Sequence, residues 1–532
     1  MTTIADLNYG DLFEAIAQVI PERPAVRCGS MVRTWAEFDA RTNCLARWLL
    51  AQGLGVHSKV AFYLRNSPAY VELFGACAKA RLTHANVNYR YVGKELLHVL
   101  DNSDAEVVVY DDAYAEQVAA LRPSLPKVRA YLEVGSGEPL NAFASAFRDA
   151  VETGDPAPLG NRRSGIDQYF MYTGGTTGYP KAVVWQHRDR IAIMRMSDAP
   201  DAATHAALVA AKPIGPAVLP ACPLMHSTGL TTMLSTLCQG GCVVLLPSST
   251  FSASECLQQI QEHGVSQLAI VGDAFSVPIL EHLRAHPRAY DLSSVEIIFS
   301  AGAMWSEPCK RELLEYFVNA ALNDALGSSE GSGLGASRMR RGESVRTAAF
   351  TVGANVKIFT EDFREVQPGS GEAGLIAKAG PLPLGYYKDP ERTARTFPVI
   401  NGVRYSIPGD WCRIEADGTM TLLGRGNNCI NTGGEKVYPE EVEEALKTAP
   451  GVLDAAVLGQ PDPRWGQAVV ALVRTHRDGA LDEAAVRAHL DDALARYKHP
   501  KRFVHTRVDF RHDNGKVNYR AARALLDQAE VS

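Results

Sequence analysis

The densest group of chemistry-bearing residues in this chain is the string Tyr172-Thr-Gly-Gly-Thr-Thr-Gly-Tyr-Pro-Lys181. Its glycines carry no Cβ, so successive backbone N–H groups can crowd around an anion. The threonine hydroxyls add donors, and Lys181 adds a mobile positive charge. Together these suit a polyphosphate. The string is not a Walker A loop, because the G-x-x-x-x-G-K-[ST] spacing fails and Pro180 precedes the lysine. A plain surface loop would not need so long and specific a run.

Other clusters invite different chemistry. Gly327-Ser-Ser-Glu-Gly331 satisfies G-x-S-x-G and would make Ser329 a hydrolase nucleophile. That reading leaves the glycine-threonine string unexplained, and Leu322-Asn-Asp-Ala-Leu326 before it reads as a weak strand. Gly331-Ser-Gly-Leu-Gly-Ala336 fits a dinucleotide fingerprint, but without a clear βαβ context or an acid about 20 residues on. Cys222, His226, Cys238 and Cys242 form a loose set with atypical spacing in apolar surroundings. Buried free thiols are the simpler reading there, since zinc needs four convergent ligands.

The elements that must position these residues alternate. Ala36–Leu50 recurs at helical spacing. Val60–Leu64 reads as a strand, Tyr70–Ala80 as a helix and Glu106–Tyr110 as a buried strand. Gln168–Tyr172 is a strand running straight into the glycine-rich loop, and Val295–Phe299 is another. Such alternation predicts an α/β architecture with largely parallel sheets. From about Val352, short strands punctuated by glycine predict a β-rich subdomain. A boundary falls near Gly424, followed by a helix (Pro439–Thr448), strands (Asp454–Leu458 and Ala468–Val473), a longer helix (Leu481–Tyr497) and a strand (Arg502–Val508). That is a small α+β unit of ordinary domain size.

The 532 residues exceed one ordinary core, so two or more domains are expected. At 46% hydrophobic and 21% charged residues the chain is globular rather than disordered. A net charge of −6 without clustered basic residues argues against a nucleic-acid partner. The first residues lack a signal-peptide pattern, and the apolar runs are too short to span a bilayer. A cytoplasmic protein with reduced thiols is expected.

The Tyr172–Lys181 string is similar to the signature phosphate loop of the adenylate-forming superfamily, which includes acyl-CoA synthetases, luciferases and peptide-synthetase adenylation domains. Further similar segments follow in the family's order: Asp324-Ala-Leu-Gly-Ser-Ser-Glu330, Gly371-Glu-Ala-Gly374, Gly385-Tyr-Tyr387, Pro408-Gly-Asp410, Gly424-Arg425, Thr432-Gly-Gly-Glu435 and Asn514-Gly-Lys516. Thr34-Trp-Ala-Glu-Phe38 and Asn86-Val-Asn-Tyr-Arg90 extend the resemblance towards the N-terminus.

The resemblance implies a large N-terminal domain of stacked α/β sheets with a β-rich subdomain (residues 1–425). It carries the ATP and acyl sites. A small mobile α+β domain (426–532) carries a catalytic lysine, with the active site in the cleft between the two. A carboxylic acid and ATP would give an acyl-adenylate and pyrophosphate, and coenzyme A would then take the acyl group. Attack of a carboxylate on the α-phosphate brings two anions together, so fixed positive groups must offset the repulsion. Lys516 matches the lysine that contacts both. Glu330 matches the carboxylate that holds Mg²⁺, with Thr177 a further candidate ligand. For ATP the resemblance implies Thr173, Gly174, Gly175, Thr176, Thr177, Gly178, Lys181, Ser329 and Lys516 at the phosphates. It places Asp324 and Ala325 beside adenine, and Asp410 and Arg425 at the ribose. His226 would gate an acyl pocket lined by Ser300, Ala301, Gly302, Ala303 and Gly327. Gly433 and Gly434 would approach the CoA thiol, and Asn427 would be the hinge.

Some positions depart from the family pattern. Gly174 replaces a serine, Ala182 a glycine, Leu326 an adenine-stacking aromatic and Asn431 a lysine. Asn427 replaces an aspartate or lysine, although asparagine tolerates unusual backbone angles. Val271-Gly-Asp-Ala-Phe275 and Asn431-Thr-Gly-Gly-Glu-Lys-Val437 resemble actinobacterial acyl-CoA ligases acting on fatty, steroid-derived or terpenoid acids, which implies a bulky apolar substrate. The short stretch from Gly331 to Val352 and the lack of a carrier module after Lys516 favour CoA over a carrier protein as acceptor. A non-catalytic binding protein on the same fold is the alternative of another class. A homodimer is compatible with the resemblance.

Overall fold

The computed structural model describes residues 6–173, 179–194, 199–302, 305, 307–343, 349–425, 430–437, 439–447, 449–475, 481–510, 517 and 519–531. The chain divides into two compact units. The first comprises residues 1–89, 100–172 and 182–424, and the second 90–99, 173–181 and 425–532.

Two large sheets dominate the first unit. In one, Lys59–Tyr63 pairs in parallel with both Thr83–Asn86 and Ala105–Asp111, and Thr83–Asn86 pairs with Gln168–Thr173. These strands are buried almost throughout, the pattern of a parallel sheet covered on both faces. The other sheet has fifteen strands among the described residues. Ala217–Pro220, Gln267–Ile270, Ile297–Ala301 and Ala321–Ser328 form its parallel run. From Gly331–Met339 onward the pairing becomes antiparallel, through Ala349–Val352, Thr419–Arg425, Asp410–Ile414 and Ala373–Ala379. The expected β-rich subdomain is therefore a continuation of this sheet, although it has a small core of its own around Leu334, Ile376 and Met420.

Local signals explain the well-placed helices. Trp35–Ala51 starts at a capping box in which the Thr34 hydroxyl accepts from Glu37 N–H (3.2 Å) and the Glu37 carboxylate accepts from Thr34 N–H (2.9 Å). Its buried Trp35 and Phe38 join Tyr9, Phe13 and Trp185 in the main core. The strand expected at Val295–Phe299 runs two residues later, Ile297–Ala301, because parallel pairing of Ile297 with Gln267 sets its start.

The second unit holds a five-stranded sheet around the antiparallel pair Val452–Asp462 and Gly466–Thr475. These strands are longer than expected, since the ladder continues through Pro461 at the turn end. The helix expected at Leu481–Tyr497 is only Glu483–Ala493. Asp482 caps its start, and Leu494 is already extended. The chain leaves the helix to reach a buried acid: Ala495 N–H donates to Glu95 at 2.5 Å, and Lys498 forms a buried ion pair with the same carboxylate. A last helix, Tyr519–Val531, was not expected from the sequence; its Ala522 and Leu526 pack on the sheet.

Candidate active site

Two neighbouring parallel strands end together, at Ile270 and Ala301, and the third runs on past them to Ser328. Ile270 pairs with Ser300, Ser300 with Asp324, and Ala301 with Ala325. The carboxyl ends of parallel strands are where α/β sheets bind ligands. This registration sets the predicted pocket residues beside the predicted adenine residues, although they are more than 20 positions apart in sequence. Ser300 is fully buried, and its hydroxyl accepts from Gly272 N–H at 2.9 Å. Its side chain therefore ties down the loop after Ile270, while its backbone carries the strand end.

His226 is the half-buried N-cap residue of Ser227–Cys238, a helix the sequence reading did not anticipate. One residue into the helix, the Thr228 hydroxyl donates to Ala301 O at 3.2 Å. Gly302 follows with φ +97°, a conformation that favours glycine. Thr228 thus joins His226, Ala301 and Gly302 into one group.

Asp324 and Lys310 form a buried ion pair at 2.6 Å. Burial pushes the Asp324 carboxyl up, and Lys310 pulls it back. One carboxylate oxygen is thus already committed to a residue that sequence reading missed. Lys310 lies on Glu307–Tyr316 with Leu313 and Leu314, at the i, i+3, i+4 spacing of that helix's buried face.

Ser329 and Glu330 form the turn between Ala321–Ser328 and Gly331–Met339, where Ser328 pairs with Gly331. The Ser328 hydroxyl accepts from Gly331 N–H at 3.1 Å. The indole N–H of Trp185 donates to Ser329 O at 2.9 Å. Glu330 is buried, and its Oε1 accepts from the Tyr386 hydroxyl at 2.7 Å. Buried Arg190 spans from Ser332 to Thr231 and lies 5.1 Å from the Trp185 ring centroid. Trp185, Arg190 and Tyr386 all converge on this turn from distant segments. The only sequence signal was the Gly385-Tyr-Tyr387 string.

This geometry removes two rival readings. The G-x-S-x-G string forms a β-hairpin turn rather than the strand-to-helix elbow a hydrolase needs. Its leading segment, expected to be a weak strand, is a full eight-residue strand held by both neighbours. The dinucleotide-like string lies inside the strand Gly331–Met339, with no helix N-terminus to receive a phosphate. Burial pushes the Cys222 and Cys242 thiols up to about 12, as expected of inert core cysteines. No group of three or more metal-ligating side chains occurs among the described residues.

Thr173 ends one strand and Lys181 opens its neighbour, Lys181–Gln186. Buried Asn86 braces the approach to the loop. It accepts from Tyr172 N–H at 2.6 Å and donates to Met225 O at 2.5 Å, one residue before His226. Asn86→Ala would leave both backbone groups buried without these partners, at a cost of about 2–4 kcal/mol. Calorimetry should show the melting temperature falling by several degrees; an unchanged value would mean water replaces the amide.

Asp410 opens the strand Asp410–Ile414 and is half-buried. Ser406, four residues earlier, stands against Gly331, where a Cβ would lie 3.2 Å from its hydroxyl. Gly327 lies in the strand leading into the hairpin. Gly433 and Gly434 form a two-residue turn with φ +57° and +82°, as a type I′ hairpin requires. A Cβ on Gly433 would come within 2.7 Å of the Trp465 ring. Gly174, Gly175, Thr176, Thr177, Gly178, Ala303, Asn427 and Lys516 lie outside the described residues, as does the side chain of Arg425.

The profile of the family described as AMP-binding enzyme matches residues 13–387. The chain belongs to this family. The profile described as AMP-binding enzyme C-terminal domain matches residues 441–516. A medium/long-chain-fatty-acid–CoA/3-oxocholest-4-en-26-oate–CoA ligase of Mycolicibacterium smegmatis is 38% identical, covering 98% of this chain and 97% of its own. A 3-oxocholest-4-en-26-oate–CoA ligase of Rhodococcus rhodochrous is 37% identical, covering 97% and 95%. The structure of the amide bond synthetase McbA from Marinactinospora thermotolerans superposes with a TM-score of 0.82 at 23% identity, covering 97% of this chain and 99% of that one. At that identity the likeness shows the fold.

For an AMP-binding enzyme, the donor set at the hairpin fits magnesium. Mg²⁺ takes most of its ligands from water and substrate phosphates, with one or two carboxylates from the protein. Glu330 would supply one such carboxylate. Among the described residues its Oε2 takes no hydrogen bond, while Oε1 is held by Tyr386.

Proposed function

We propose that this protein is an AMP-forming acyl-CoA ligase acting on a bulky apolar acid of the fatty or steroid-derived class. The observation that carries the reading is that Asp324 and Ala325, paired with Ser300 and Ala301 at the end of the neighbouring strand, lead within a few residues into the hairpin turn of Ser329 and Glu330. Full-length similarity to CoA ligases of fatty and steroid acids supports the acceptor and the acid class.

A carboxylate oxygen attacks the α-phosphorus of ATP and the bond to the bridging oxygen breaks, releasing pyrophosphate. Lys181 and the glycine-threonine loop hold the phosphates, with Ser329 donating to the α-phosphate. Glu330 would hold Mg²⁺, which would neutralise phosphate charge when bound. Asp410 and Arg425 fix the ribose. The CoA sulfur then attacks the acyl carbon, and AMP leaves with the bonding pair. Residues 1–425 would supply the ATP and acyl sites. Residues 426–532 would supply Lys516 and the Gly433–Gly434 turn, in movement about Asn427.

ATP-dependent thioester formation across acids from acetate to long-chain fatty and steroid acids tests this reading, with pyrophosphate release read alongside. Thioester from apolar acids is expected. Pyrophosphate without thioester would overturn the CoA assignment. Asp410→Ala should raise the KM for ATP about 10- to 100-fold through loss of charged hydrogen bonds to the ribose; an unchanged KM would remove Asp410 from the nucleotide site. No helix among the described residues is long and apolar enough to cross a membrane. A cytoplasmic location and a homodimer rest on the sequence, and light scattering on the purified protein tests the second.

A further inference from the structure

The family resemblance assigns Glu330 but nothing to the residue that holds it. Tyr386 comes from a segment 56 positions away, and its hydroxyl donates to Glu330 Oε1 at 2.7 Å. Both side chains are buried.

The ring is fixed from several directions. Gly385 and Tyr386 pair antiparallel with Val184 and Val183. Tyr386 N–H donates to the Thr393 hydroxyl at 2.8 Å. Gly385 has φ +147°, and a Cβ there would lie 2.3 Å from Thr393 Cγ2, so glycine is what lets Tyr386 sit this close to the helix Pro390–Thr396. The Arg392 guanidinium lies 4.9 Å from the ring centroid. The phenol therefore has little freedom to follow the carboxylate, and the carboxylate must follow the phenol.

The choice of donor has a chemical consequence. Arginine or lysine at this place would neutralise the carboxylate and compete with a cation for it. A phenol donates one hydrogen bond without adding positive charge. Partners that orient a metal-binding carboxylate in this way tune metal affinity.

We propose that Tyr386 is a positioning residue that locks the Glu330 carboxylate through Oε1 and leaves Oε2 directed at the divalent cation of metal-ATP. The proposal rests on the assignment of Glu330 to the cation.

The test is Tyr386→Phe, which keeps the ring and removes only the donor. Binding of Mn²⁺ with α,β-methylene-ATP would be read by electron paramagnetic resonance, independently of turnover. The Mg²⁺ dependence of pyrophosphate release would be read beside it. Both half-saturating metal concentrations should rise about 10-fold, the KM for the acid should stay within about twofold, and the melting temperature should fall by no more than about 4 °C. Arg392→Lys, which gives up the planar guanidinium over the ring but keeps its positive charge and the Tyr386 hydroxyl, should shift metal dependence in the same direction by about threefold, and it carries the test if Y386F does not fold. Glu330→Gln separates the two levels. If E330Q weakens Mn²⁺ binding while Y386F and R392K do not, the positioning role is wrong. If E330Q leaves metal binding unchanged, the assignment of Glu330 falls and the proposal falls with it. An equal rise in the acid KM and the metal requirement would make Tyr386 a general structural support.

Discussion

Replacing Lys516 with alanine is expected to slow acyl-adenylate formation by about 10²- to 10³-fold while leaving thioester formation from supplied acyl-adenylate within a few-fold of normal. The reason is electrostatic. During adenylation a carboxylate approaches a phosphate that already carries negative charge, and a preorganised cation stabilises the transition state more than the separated reactants. In the second half-reaction a sulfur attacks a neutral acyl carbon and AMP departs, so this repulsion is gone. The experiment measures pyrophosphate release from acid and ATP, then thioester from synthetic acyl-adenylate and CoA. Equal loss in both halves would show that Lys516 does not act selectively in adenylation.

Gly433→Val should give the opposite split. A β-branched side chain at φ +57° is strained, and its Cβ would start 2.7 Å from the Trp465 ring. The turn must shift, and displacement of a substrate-positioning segment by about 1 Å costs about 100-fold. If this turn approaches the CoA thiol, thioester formation from acyl-adenylate falls by about that factor while pyrophosphate release from acid and ATP stays within a few-fold. Loss of both activities together would mean that the two glycines serve only the fold of the second unit. The structure already supplies part of such a role, since Gly433 N–H donates to Trp465 O at 2.9 Å.

Local sequence predicted elements whose signals are local. The helical spacing over Ala36–Leu50 marks a helix, found at Trp35–Ala51. The apolar run before Thr173 marks a buried strand leading into the glycine-threonine string. Where long-range pairing sets a boundary, local pattern missed it. The start of Ile297–Ala301 depends on Gln267, and the end of Glu483–Ala493 depends on Glu95, about 400 positions away. The strand expected to end at Leu458 runs on through Pro461 to the hairpin end.

By itself the sequence determined the family and the chemistry on offer. A glycine-threonine string, a lone acid in a glycine-serine turn and a C-terminal lysine are legible as residue types at fixed local spacing, and local spacing is written in the chain. Only the tertiary structure decided which groups hold those residues in place. Lys310 on Asp324, Tyr386 on Glu330, Trp185 on Ser329 and Asn86 between Tyr172 and Met225 are contacts between segments 14 to 144 positions apart. Strand order and register bring such partners together, and a buried polar group must find its hydrogen bond wherever the fold places one.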